Sequence, residues 1–232
     1  MDIGGLERRL GELADPVYRQ FTAKLIPTID PARILGVRMP ALRKLARELA
    51  GTPAAEALMA GAPHRYLEEE HLHGLLVNAL PGMPETVAAL DALLPFVDNW
   101  ATCDLLKPAA FKRAAHTPEG CARLEREAYR WMADGRAYTR RFGVSVLMNF
   151  LLDDGFDPAQ LEAAAAIPQG DYYVDMMVAW YVATALANRW EQTIPLIEGR
   201  RLPAWTHRKA IQKARESFRV PDERKARLAA FR

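Results

Sequence analysis

Three stretches decide the fold: Tyr138–Met148 (YTRRFGVSVLM), Tyr172–Val182 (YYVDMMVAWYV) and Trp205–Arg215 (WTHRKAIQKAR). Aligned on Tyr138, Tyr173 and Trp205, each continues with a β-branched residue: Thr139, Val174 or Thr206. Tyr66 and Trp100 extend the series toward the N-terminus, and the successive aromatics are 34, 38, 35 and 32 residues apart. Each stands near the start of a helical segment. A period near 35 residues built from helix pairs is the signature of an α-solenoid. One such pair cannot bury its own apolar face, so it stacks on the next and the array curves. The expectation is an all-α chain, residues 1–232 forming a single repeat domain with a concave face.

Local signals agree. Asp15-Pro16, Asp30-Pro31, Thr117-Pro118 and Asp157-Pro158 each place a capping side chain before a proline. The cap oxygen satisfies orphan N–H groups, and proline at the first helical position loses nothing. Apolar residues then recur at helical spacing, as in Leu42, Leu45, Ala46 and Leu49, or Val144, Leu147, Met148 and Leu151. Strand signals are almost absent.

The totals exclude several classes. The chain is 50% hydrophobic and 26% charged, an ordinary globular balance. Nothing at its start reads as a signal peptide, since Met1-Asp2-Ile3-Gly4-Gly5 runs at once into Glu7-Arg8-Arg9. The longest nearly apolar run, Met176 to Ala187, is too short to span a bilayer. No membrane association is expected. Two cysteines, Cys103 and Cys121, build neither a disulfide framework nor a Cys-rich zinc site, and a reducing cytoplasm is the expected compartment. Net charge is only +2, but residues 200–232 carry eleven Lys or Arg against three acids. Within that segment Arg208, Lys209, Lys213 and Arg215 form a candidate footprint for phosphate.

The chemistry-bearing stretch is Asp98-Asn99-Trp100-Ala101-Thr102-Cys103-Asp104. Asn99 suits the cap of a helix beginning at Trp100. Trp100 and Asp104 then stand at i and i+4 on one face. An indole beside a carboxylate suits a site where positive charge develops, because the carboxylate stabilises the cation while the ring offers a π face and excludes water. Arg140-Arg141, near a helix start, has the form of a phosphate clamp. Trp180 follows an apolar run and reads either as core or as a site residue. His71-Leu72-His73 follows Glu68-Glu69-Glu70. Histidines at i and i+2 point apart on a helix, so no shared metal is expected there, and the whole stretch reads as a solvated face. Cys103 reads as a small packing residue.

Trp100-x-x-x-Asp104, then Arg141 one repeat later, then Trp180 one repeat later again, resembles in order and spacing the AlkD-type DNA alkylation repair glycosylases. Leu35–Leu45 (LGVRMPALRKL) and Arg208–Lys213 (RKAIQK) are similar to that family as well, and the resemblance covers roughly residues 15–219. It implies a stack of HEAT-like helix pairs whose concave face cradles duplex DNA. It implies that Trp100, Asp104 and Trp180 line the cleft handling the damaged nucleotide, with Arg141, beside Arg140, on the backbone. The implied reaction is hydrolysis of the N-glycosidic bond of cationic N3- or N7-alkylpurines, without drawing the base into a deep pocket and without metal or organic cofactor. The expected partner is duplex DNA, alkylated or branched, bound by a monomer.

The departures from the family pattern bear on chemistry more than on shape. Active members resemble Trp-Trp-Asp-Thr-Val-Asp where this chain has Asn99-Trp100-Ala101-Thr102-Cys103-Asp104. Tyr138 replaces a Trp, Met176 stands where Gln or a basic residue is common, and Asp15–Asp30 matches poorly. In these respects the chain is similar to side branches that keep the fold without robust base excision. Two function classes follow: a DNA glycosylase, or a non-catalytic HEAT-like module binding duplex or branched DNA or a protein.

Overall fold

The structure is a computed structural model and describes residues 3–231. The described residues form fifteen α-helices and two short 3-10 turns, with no strand, so the chain is all-α. No helix among them is long and apolar enough to cross a membrane. The chain divides into two compact units, Met1–Lys112 and Arg113–Arg232.

The first unit contains α1 (Ile3–Glu12), α2 (Pro16–Leu25), α3 (Met39–Leu49), α4 (Pro53–Ala60), α5 (Leu67–Asn78), α6 (Met83–Leu93) and α7 (Trp100–Leu105). Helix α8 (Ala109–Ala114) carries the boundary between the units. The proline-marked starts behave as the capping argument requires. Asp15 accepts from the Val17 and Tyr18 N–H groups at the start of α2, and Asp30 accepts from Ala32 N–H at a 3-10 turn. The stripe Leu42, Leu45, Ala46 and Leu49 is buried. It forms a core with Leu6 and Leu10 of α1, Leu58 of α4, and Leu72 and Leu76 of α5.

Helix α5 corrects the sequence reading. The run Glu68-Glu69-Glu70-His71-Leu72-His73 is not a solvated face; all six residues are buried. Helix α5 packs against α3, α4, α6 and α7, so it runs through the middle of its unit. Its charges are tolerated because each carboxylate meets donors. Glu68 accepts the N–H groups of Leu35 (3.0 Å), Gly36 (2.7 Å) and Val37 (3.2 Å). Gly36 has φ of 90°, and a Cβ there would lie 2.4 Å from the Asp15 carbonyl oxygen, so the turn that feeds Glu68 requires glycine. Glu69 closes a capping box on Tyr66 N–H at 2.9 Å. Glu70 is held by Arg33, Asn99 and Thr102. His73 Nδ1 meets His64 Nε2 at 2.9 Å.

The second unit contains α9 (Pro118–Met132), α10 (Ala137–Phe150), α11 (Pro158–Ala165), α12 (Tyr172–Asn188), α13 (Trp190–Glu198), α14 (Ala204–Glu216) and α15 (Asp222–Ala229). Here the repeat has direct physical content. Helix α10 packs on α9 and α12, α12 packs on α14, and α11 and α13 pack on α12 and on each other. The three aligned β-branched residues, Thr139, Val174 and Thr206, occupy one structural position and are all buried. The aromatics beside them make a ladder along the helix starts. Tyr138 and Tyr173 have ring centroids 5.6 Å apart, Tyr173 and Tyr172 5.2 Å, and Tyr172 and Trp205 5.8 Å. Such pairs contribute beyond their buried area. At the other end of α12, Arg189 donates to the Leu152 and Asp153 carbonyls beyond α10.

The α9–α10 crossing is close because Gly143 faces it. A Cβ at Gly143 would stand 2.7 Å from both the Ala128 carbonyl oxygen and the Met132 nitrogen. Those are backbone atoms and cannot rotate away. Gly143→Ala therefore gains helix propensity yet is expected to destabilise the second unit by about 1–3 kcal/mol through overpacking. A urea denaturation midpoint shifted downward checks this, and an unchanged or higher midpoint contradicts it.

Candidate active site

Helix α7 is only six residues long, and its position is set from its start. Asn99 is fully buried; its Oδ1 accepts from Thr102 N–H at 2.8 Å and caps the helix. Its Nδ2 donates to Glu70 Oε2 at 3.0 Å, and the Thr102 hydroxyl donates to the same oxygen at 3.1 Å. Arg33 bridges Glu70 and Asp98. Burial, then the neighbouring Asp98, push the Glu70 carboxyl up to about 7, against the opposing pull of Arg33, Thr102 and Asn99. The sequence reading identified Asn99 as a cap but missed Glu70 and Arg33. The available signal was an acid run at a helix start that must find donors if it is buried.

This network orients Trp100 and Asp104. They share one face of α7, as the i, i+4 spacing requires, and both line a cavity of about 290 Å³ within the first unit. Trp100 is half-buried, and its Nε1 donates to the Leu25 carbonyl at 3.2 Å, tying α7 to the end of α2. Asp104 is half-buried too. Much of the remaining wall is apolar, including Leu25, Ile26, Val37 and Leu67, with Tyr18, Arg43, Glu68 and His71 as polar members. An indole and a carboxylate on one wall of a largely apolar hollow can stabilise a cation. Cys103 is in the core, as a packing residue should be.

In the second unit Trp180 is not a core residue. It is 39% exposed, whereas Met177, Val178 and Ala179 before it are buried. It shares a hollow of about 190 Å³ with Lys213, Glu216 and Arg219. Lys213 and Trp180, both singled out in the sequence, are thus brought together. The four basic residues of α14 fall on two flanks of the helix. Arg208 and Arg215 stand seven apart on one flank of the helix, and Lys209 and Lys213 four apart on the other. Gln212 and Glu216 lie between them, bonded to each other at 2.8 Å. Lys209 is occupied by Gln212 at 2.8 Å and lies over the Trp205 ring.

Arg141 departs from expectation. A clamp for phosphate should be open to solvent, yet Arg141 is only 4% exposed, and its Nη1 donates to the Tyr173 carbonyl at 2.6 Å. It ties the start of α12 to α10. Arg140, next to it, is half-buried with its Nε buried and unbonded. No group of three or more His, Cys, Asp or Glu side chains among the described residues is placed to hold a metal.

A search of curated proteins finds no match. The sequence profile of the DNA alkylation repair enzyme family matches residues 6–213, nearly the whole chain. That match takes in both units, the Trp100–Asp104 wall and Trp180 beside Lys213, so the chain belongs to the DNA alkylation repair enzyme family.

Proposed function

We propose that this protein hydrolyses the N-glycosidic bond of cationic N3- or N7-alkylpurines in duplex DNA, as a monomer. The observation that supports this most is Trp100 and Asp104 side by side on one wall of a largely apolar cavity. An alkylpurine already carries positive charge, so it leaves as a neutral base and needs no general acid. As the bond between C1′ and the base nitrogen breaks, the sugar takes on oxocarbenium character. Asp104 stabilises that charge, and Trp100 keeps the local dielectric low. A water oxygen then bonds to C1′ and gives its proton to Asp104 or to solvent. No step calls for a metal or organic cofactor.

DNA binding is assigned to the second unit. Arg208, Lys209, Lys213 and Arg215 contact the backbone, with Trp180 beside Lys213 against the sugar edge. Arg140 is the phosphate ligand of the arginine pair, and Arg141 holds the helix start behind it. Binding should be moderate and strongly salt-dependent, because each phosphate contact releases counterions. Arg208→Ala and Lys213→Ala should each weaken binding and reduce the slope of log K against log salt by about one. Fluorescence anisotropy on a duplex at several salt concentrations checks this, and a flat response would point to a protein partner.

The deciding experiment is incubation with methylated duplex DNA and chromatography of the released bases. Release of 7-methylguanine or 3-methyladenine, with no release of uracil from uracil-containing DNA, is the expected result. If no alkylated base is released while salt-dependent DNA binding persists, the protein belongs to the non-catalytic class.

A further inference from the structure

One large apolar side chain of the second unit stands wholly in solvent. Phe218 is fully exposed and adds nothing to the core, yet the turn that carries it is fixed on both sides. Before it, Ser217 N–H donates to the Ala214 carbonyl at 3.2 Å and closes the end of α14. After it, Arg219 N–H donates to Ser217 Oγ at 3.2 Å, and Val220 is buried just ahead of α15. The ring is held out on a short anchored turn.

Both chain neighbours of Phe218, Ser217 and Arg219, line the hollow of about 190 Å³ that also contains Trp180 and Lys213. Trp180 is itself partly open to solvent, so the hollow has one open aromatic in its wall and a second on the turn that forms part of that wall. Lys213 and Arg219 have no ion pair and no side-chain hydrogen bond among the described residues, while Glu216 in the same wall accepts from Gln212 at 2.8 Å. Open rings beside uncommitted cations have the form of a surface for unpaired nucleotides, in which the cations hold phosphates and a ring stacks on a base. A phenyl ring has no donor for a phosphate and no hydrogen bond for a base edge. Within an intact duplex the faces of the bases are covered by their neighbours, so the duplex offers Phe218 little. A base without a partner strand offers its whole face.

We propose that Phe218 is a stacking platform for one unpaired base of a DNA strand that runs on from the duplex, with Lys213 and Arg219 holding the phosphates of that strand. The proposal rests on DNA binding by the second unit and is independent of base hydrolysis. The favoured partner is a junction between duplex and single strand, such as a tailed or gapped end.

The test is fluorescence anisotropy of the full chain with three DNAs: a blunt duplex, the same duplex with a short thymidine tail, and that duplex with a tail of abasic nucleotides. The abasic tail keeps the phosphates and removes the bases. The thymidine tail should tighten binding about tenfold over the blunt duplex, as one base stack would, and the abasic tail by no more than about twofold. Phe218→Ala should lose the gain from thymidine while binding blunt duplex as the wild type does, and Phe218→Trp should keep it. The ring lies outside the core, so both variants should unfold at the wild-type denaturant midpoint. A thymidine tail that adds no affinity, an abasic tail that matches it, or a gain that survives in Phe218→Ala overturns the proposal and leaves duplex binding in place. Loss of blunt-duplex affinity in Phe218→Ala overturns it as well and makes Phe218 a wedge within the duplex. If no DNA binds, the assignment of DNA to the second unit falls and this inference falls with it.

Discussion

Replacing Asp104 with asparagine should lower the rate of alkylpurine release by about two to three orders of magnitude, the scale of losing one preorganised electrostatic group. DNA affinity should stay close to that of the unaltered protein. Asparagine keeps the shape and loses the charge, so the ground state with neutral sugar is bound as before while the oxocarbenium-like state loses its counter-charge. The effect should fall on the rate at saturating enzyme, with little change in the dissociation constant. Release from a lesion with a weaker leaving group should suffer more, because it relies more on the protein. The measurement is single-turnover release of 7-methylguanine from a defined duplex. A loss of less than fivefold would remove Asp104 from the chemistry, and an equal loss in DNA affinity would make it a binding residue instead.

Acid should destabilise the first unit through its buried histidines, and His71→Phe should remove part of that sensitivity. An unfolded histidine takes up a proton near pH 6.5, whereas burial holds His71 and His73 near 4. Between those values the unfolded state binds more protons, so falling pH favours unfolding. Above 6.5 both states are neutral and the effect is gone. A gap of that size corresponds to an upper value of about 3 kcal/mol for each histidine at pH 4. Glu70 acts in the opposite sense. Its carboxyl stands near 7 in the folded chain against 4.5 unfolded, so its contribution is present at low pH and is lost as pH rises through that window. Burial also lowers the pKa of His64 and raises that of Glu69, so three histidines oppose two glutamates, and removing His71 takes away part of the net acid loss. Denaturation midpoints of wild type and His71→Phe at pH 7 and pH 4.5 should therefore diverge, the variant losing less. Parallel curves would show that His71 is not the proton acceptor.

What the sequence revealed and what it concealed divide along one physical line. The caps at Asp15, Asp30, Asn99, Thr117 and Asp157 were readable because each is settled within about three residues of chain. The aromatic period was readable because Tyr138, Tyr173 and Trp205 recur at the same point of each helix. The Trp100–Asp104 pair followed from helical geometry alone. Helix α5 was misread because its partners come from afar. Glu70 meets Arg33 across 37 residues and Asn99 across 29, and no periodicity reports such pairing. Arg141 was misread for the same reason, since the Tyr173 carbonyl that engages it lies 32 residues on. His71 was set aside as a metal ligand because histidines at i and i+2 point apart on a helix.

The aromatic ladder of the second unit also governs how this part of the molecule comes apart. Tyr138, Tyr173, Tyr172 and Trp205 link three successive helix starts. Stability in helix starts coupled this way is a series of nearest-neighbour couplings. Helix α15 and the residues after it pack over this end, where Leu228 is buried, Arg224 and Arg227 lie over the Trp190 ring, and the Phe231 carbonyl meets His207 Nε2 at 2.8 Å. Fraying should therefore begin at the C-terminus and proceed inward one repeat at a time. Amide protons should exchange fastest in α15, more slowly in α14 and most slowly in α12, so the basic helix assigned to DNA is also the one whose order a bound duplex would most increase.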